Sequence, residues 1–162
     1  MSCRTGSAVL ILCVPVVAAS CQRSEGRFLE RQLVRDELVG HFIGTPFAME
    51  SLKYAGFKEH LDPAEHQLEL GTDGTCRAQT FIDPTSAAPN GTGRWIPPNA
   101  PCRWALDSDG RHQQVTVTIN VAGDDATLRF YLDEEAGHLV LWQYTADPDS
   151  WKYMEFRRVE NG

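Results

Sequence analysis

Two acid–histidine pairs, Glu59-His60 and Glu65-His66, stand four residues apart around Pro63. Two imidazoles and two carboxylates are a donor set that zinc accepts, at about 2 Å per bond. The link that carries them is polar and broken by proline, where solvated side chains are the default, so no metal site is assigned. Asp107-Ser108-Asp109-Gly110 opens like a calcium loop. The later ligands of such a loop do not follow at the required spacing, and the four residues read instead as a hairpin turn. Asp147-Pro148-Asp149-Ser150 lies between runs that contain Trp142, Tyr144, Trp151 and Tyr153. Two carboxylates among stacking rings could hold a ligand, although Asp-Pro and Asp-Ser are equally strong turn formers. Trp95, in a proline-rich stretch, is the further ring placed to border such a site, and the expected location of the whole group is the mouth of a barrel.

Catalytic signatures do not accompany these residues. There is no Gly-x-Ser-x-Gly elbow, no phosphate-binding glycine loop with lysine, no His-Glu-x-x-His and no Cys-x-x-Cys. No catalytic residue and no cofactor are assigned, and a hydrolase ranks below either kind of binding protein. Nucleic acid is excluded as a partner by charge. All 22 acidic residues follow Ser20 and only Arg4 of the basic residues precedes it, so the remainder has 14 basic against 22 acidic residues and no basic stripe.

The elements that must carry these side chains follow from periodicity. Residues 27–38 place Leu29, Leu33 and Leu38 among charges, which predicts a short amphipathic helix. A second helix is expected over 49–57, with Met49, Leu52 and Ala55 on one side and Gly56 as its stop. From His66 the period becomes two. Residues 66–70 and 75–82, joined through Asp73-Gly74, predict a hairpin. Residues 113–121 alternate Val115, Val117, Ile119 and Val121 with Thr116, Thr118 and Asn120, a strand with one dry and one wet face. Leu128, Phe130 and Leu132 continue the alternation after Gly123-Asp124-Asp125, and further strands are expected over 138–144 and 151–159. Residues 83–101 hold five of the nine prolines and read as a loop. Short connections favour antiparallel neighbours, so the fold class is mainly β: an up-and-down sheet curled into a small barrel or half-barrel, with one or two short N-terminal helices. A sandwich is the alternative.

The first 20 residues read as a targeting segment. Arg4 precedes an uncharged apolar run over 8–19, interrupted by Pro15, and no acidic residue appears before Glu25. The run is shorter than the roughly 20 apolar residues that span a bilayer. Ala18, Ala19, Ser20 and Cys21 resemble the lipobox of bacterial lipoproteins, in which small residues lead to the cysteine that receives lipid. The resemblance implies cleavage before Cys21, acyl chains on it, and a polar tether over 21–26 ahead of a domain over 27–162. A plain secretory cut that reads Ala18 and Ser20 as small-x-small is the alternative, and it would leave Cys21 an odd thiol. Gln22 after the cysteine implies the outer membrane where the host has two. Under the lipoprotein reading Cys3 and Cys13 leave with the signal and Cys21 is occupied, so Cys76 and Cys102 remain as a pair in an oxidising compartment. Alternation puts Cys76 in phase with Ala78, and Cys102 in phase with Trp104 and Leu106, so both are expected to face inward and to form a disulfide.

Further motifs extend the resemblance. Leu38-Val39-Gly40, Glu50-Ser51-Leu52, Ala55-Gly56-Phe57, residues 66–75, Ala146 to Ser150 and Tyr153 to Phe156 together resemble a widespread group of uncharacterised bacterial exported proteins. Gly40-His41-Phe42 resembles the glycine-x-tryptophan opening of lipocalins, with Phe42 where tryptophan would stand. These motifs are turn and core signals, and they imply a lipocalin-like β domain rather than an activity. The expected function is a non-catalytic envelope lipoprotein, held to the membrane through Cys21, that binds another envelope component. A small-ligand carrier with a cavity inside the barrel is the alternative, and the two differ in whether the interior is hollow.

Overall fold

The computed structural model describes residues 27–83, 94–121, 123–144 and 153–160. The expected signal and tether, including Cys21, lie outside them. Ten strands form among the described residues: β1 (Gly40–Gly44), β2 (Gln67–Leu70), β3 (Thr75–Gln79), β4 (Phe81–Asp83), β5 (Arg94–Ile96), β6 (Ala100–Ser108), β7 (Gln113–Val121), β8 (Asp124–Glu135), β9 (His138–Tyr144) and β10 (Tyr153–Val159). Eight close into an antiparallel barrel in the order β1-β10-β9-β8-β7-β6-β3-β2, and β4 and β5 pair separately as a two-stranded ribbon.

Alternation sets the wall. Val115, Val117, Ile119 and Val121 of β7 are buried. Val117 stands between Trp104 of β6 and Leu128 of β8, and Val115 between Leu106 and Phe130, so three neighbouring strands send apolar rows to one side. The turns are set by residues that accept positive φ. Gly74 at 84° closes the β2–β3 hairpin, with Asp73 accepting from the Thr75 N–H and hydroxyl. Ala136 and Gly137, at 52° and 82°, form the two-residue β8–β9 turn in the doubly left-handed conformation that matches strand twist. Asp107 to Gly110 lies at the β6–β7 turn, where Asp109 accepts from the backbone N–H groups of Arg111 and His112.

Closure comes from β1, a strand that the periodicity does not announce. It pairs with β10 through His41↔Val159 to Gly44↔Phe156, and with β2 through Gly40↔Leu70 to Ile43↔Gln67. Gly44 allows the close approach: a Cβ there would stand 2.9 Å from the Cβ of His66.

Both ends are sealed. At one, helix α2 (Pro46–Tyr54) connects β1 towards β2 and buries Ala48, Met49, Ser51 and Leu52. It starts three residues earlier than expected because Thr45 caps it, accepting from the Ala48 N–H, and Pro46 takes the first helical position. The ribbon fills the same end. The expected strand over 75–82 is broken at Thr80, whose φ of 48° turns the chain inward and carries Phe81 into the barrel. Residues 83–101 are therefore not all loop: β5 pairs with β4, and β6 begins at Ala100. Residues 84–93 lie outside the described set. At the other end, Leu33 and Leu38 form the floor. The helix expected over 27–38 is confined to the single turn α1 (Arg35–Leu38). Residues 27–34 run as a non-helical strap, because their apolar side chains go to different places: Phe28 to the outer wall, Leu33 to the floor.

Cys76 and Cys102 are direct cross-strand partners on β3 and β6, with Cα atoms 5.0 Å apart, and are joined by a disulfide. Their neighbours in phase, Ala78 and Trp104, are buried, so the bond lies on the inward face.

Candidate functional site

Strand β9 carries Val140, Trp142 and Tyr144 in phase, opposite in phase to Leu141, which faces the core partners Leu132 and Phe156. Trp142 therefore points to the outer wall, yet it is 2% exposed. The strap covers it. The Trp142 indole N–H donates to the Arg27 carbonyl at 3.0 Å, and the Phe28 ring packs at 5.4 Å from Trp142, 5.1 Å from Tyr131 and 3.8 Å from His112. Tyr144 closes edge-on against Trp142 at 5.2 Å. Arg27 bridges two carboxylates from flanking strands, Asp133 of β8 at 3.1 Å and Glu155 of β10 at 2.6 Å, with all three side chains largely buried. The Leu29 N–H donates to the Leu132 carbonyl, and Leu33 exchanges two hydrogen bonds with the Gln113 side chain.

The chemistry of this cluster is adhesive. Two carboxylates are compensated by one guanidinium, which holds three strands and the strap together. Burial, and to a lesser degree the nearby Asp109, pushes the Tyr131 hydroxyl above its ordinary pKa, so it stays protonated. The two ring nitrogens of His112 have no hydrogen-bond partner, and the ring serves as a flat face for Phe28.

Trp95 belongs to a second cluster at the α2 end of the barrel. Its ring meets Phe57 at 5.5 Å, His60 at 4.8 Å and His66 at 5.9 Å. The acid–histidine pairs come together here, but as a brace. His60 Nδ1 lies 2.7 Å from Glu65 Oε2, and His66 Nε2–H donates to the His60 carbonyl at 2.7 Å. His66 is fully buried, and burial holds its pKa below the ordinary 6.5. Among the described residues no three His, Cys, Asp or Glu side chains converge on a point that could hold a metal ion.

The expected binding residues are thus separated. Trp142 and Tyr144 line the outer wall and Trp95 the mouth. Tyr153 pairs through its backbone with Tyr144. Asp147, Asp149 and Trp151 lie outside the described residues. Arg27, Phe28, His112, Tyr131 and Glu155 were not singled out by sequence pattern. The signal that could have found the strap is the polar–aromatic Arg27-Phe28 pair at the head of a segment whose apolar residues fit no single helical face.

Comparison with protein families, with curated proteins and with solved structures finds no match to this chain.

Two features of the surface and interior bear on function. Phe42, Phe81, Phe130 and Phe156 are among the largest fully buried side chains, and three of them form one aromatic cluster inside the barrel. Phe81 stacks on Phe156 at 4.9 Å with planes 6° apart, and Phe130 meets both edge-on at 6.2 and 5.7 Å. The outer wall, in contrast, holds open clefts of mixed polar and apolar lining. One of about 610 Å³ is lined by His41, Gln67, Glu69, Arg77 and Gln79, and another of about 360 Å³ by Thr75, Pro101, Arg103, Thr118 and Asn120.

Proposed function

We propose that the protein is a non-catalytic envelope lipoprotein, lipidated on Cys21, whose barrel acts as an interaction module for another envelope component. The observation that carries the choice between module and carrier is the aromatic plug. A carrier of this architecture needs its interior for ligand, and here Phe81, delivered by a separate ribbon, occupies it. The clefts on the outer wall are open and of mixed lining, which suits a macromolecular surface better than an enclosed small-molecule site. The lipid is supported by the lipobox-like residues Ala18 to Cys21, and by the disulfide, which fits an oxidising compartment. The resemblance to exported bacterial proteins supports the same reading.

Native mass spectrometry of the protein extracted gently from its own envelope, set against its denatured mass, tests the module. A protein-sized addition is expected; a reproducible small-molecule excess beyond the lipid would replace the module by a carrier. Lipidation is tested separately. Cys21→Ala should move the protein from the membrane to the soluble fraction, and unchanged retention and mass would refute it.

A further inference from the structure

The strap fixes where the chain leaves the barrel. Arg27 is held by Asp133, Trp142 and Glu155, one residue from each of β8, β9 and β10, and Phe28 and Leu29 are held by the next contacts along. The exit point is therefore the middle of one wall, not a loose end at a barrel mouth. In the circular order of strands, β3 lies four places from β9 and is diametrically opposite. Clefts occur on both sides of the barrel: one lies on β1, β2 and β3, another on β3, β6, β7 and β8, and a third, of about 650 Å³ and lined by Arg31, Glu134, His138 and Arg158, on the strap-bearing side.

Only five residues lie between Cys21 and Arg27, which makes six Cα-to-Cα steps. Fully extended, they span about 20 Å. Eight strands about 4.8 Å apart and tilted by about 40° give a backbone circumference of about 50 Å, hence a radius of about 8 Å. Side chains bring the outer radius to about 12 Å, so the path around the surface from β9 to β3 is close to 40 Å. The tether covers about half of it.

We propose that the wall of β8, β9 and β10 faces the bilayer, and that the wall centred on β3 is kept off the membrane and presented outward. The proposal rests on the reading of Cys21 as the lipidated residue. The strap is then an orienting device, for it gives the anchor a preferred face. The occupant of the strap-bearing wall is the lipid surface, at a distance set by tether length and not by affinity of the wall for lipid: Arg157 and Glu135 pair with each other there, as do Arg31 and Glu134, leaving little net charge to attract headgroups.

The test supplies the lipid chemically, so that geometry is read whether or not cells acylate the chain. The oxidised protein from Cys21 onward, with Cys76 and Cys102 in their disulfide, is coupled through Cys21 to maleimide-headgroup lipid in phosphatidylcholine vesicles that contain a rhodamine headgroup lipid. A donor dye is attached through azidophenylalanine at either of two exposed positions, Arg157 on the strap-bearing wall or Arg77 on β3. Energy transfer to the membrane is expected to be severalfold stronger from 157 than from 77, and equal transfer would overturn the proposal. In a second variant, six Gly/Ser residues are inserted between Gly26 and Arg27, doubling the reach to about 40 Å without touching the barrel. The contrast should then largely vanish. If it persists, the wall binds lipid by itself and the tether-length argument fails. Failure of the Cys21→Ala fractionation, by contrast, would refute lipidation and leave these vesicle results standing.

Discussion

Replacing Phe81 by alanine removes the ring that the β4–β5 ribbon places inside the barrel. Phe81 is 1% exposed, lies parallel over Phe156 at 4.9 Å and meets Phe130 at 6.2 Å. Burying a phenylalanine contributes up to about 3 kcal/mol of transfer free energy. The aromatic contacts add about 1 kcal/mol. The sum, about 4 kcal/mol, falls within the usual range of about 3 to 5 kcal/mol for phenylalanine truncation in a core that relaxes little. Urea denaturation followed by tryptophan fluorescence should show the midpoint lowered by about 2 to 3 M, for a slope of about 1.5 kcal/mol/M. The void is apolar and enclosed, so the variant should also gain stability from benzene or a similar small apolar molecule, which the parent protein should not. A loss below about 1 kcal/mol, well under any buried-phenylalanine expectation, would mean that the ring does not fill the interior. The choice of module over carrier would then lose its basis.

Opening the Cys76–Cys102 bond, which spans 26 residues, should cost about 3.5 kcal/mol in the chain-entropy model. A Cys76→Ala/Cys102→Ala pair with an unchanged urea midpoint would contradict that. His66 should make the fold sensitive to acid. Its folded-state pKa is lowered by burial, so the unfolded chain takes up the proton first as pH falls. The stability that His66 contributes is present above about pH 6.5 and is lost as the pH falls from there through the lower folded-state value. His66→Gln should flatten the stability profile across that window, and an identical profile would refute the assignment. Arg27→Ala should leave Asp133 and Glu155 facing each other without a cation, a loss of about 3 kcal/mol for a largely buried network. Hydrogen exchange should show it first at the Leu29 amide, and an amide that stays protected would show that the strap does not depend on Arg27.

The barrel was legible where one face of a strand is dry. Residues 113–121 could be placed by alternation alone, and the hairpin through Asp73-Gly74 by its turn chemistry. The disulfide followed from parity and from the count of cysteines left after Cys21. Closure was not legible, because β1 offers five residues with glycine at each end, too few for a period to register. The ribbon was hidden for a different reason. Proline and glycine between residues 83 and 101 speak for irregular chain, and the bend that sends Phe81 inward depends on a left-handed threonine that no propensity favours. The strap reads as helix because Leu29, Leu33 and Leu38 fall near a helical spacing, while tertiary contacts pull the chain straight. At the candidate site, aromatic residues could be found by type, but which side of the wall each ring faces required the register. Trp142 and Trp95 read as one group and belong to two.

The pairing of β1 with β10 joins residues 41–44 to residues 156–159, the first and last strands among the described residues. A chain delivered progressively from its N-terminus has no partner for β1 on that side until β10 arrives. Until then β1 and the growing end of the sheet remain open edges, and the interior has a seam along its length. Completion of the fold is therefore a late, single event that waits for Phe156, which supplies both the closing strand and the ring on which Phe81 stacks.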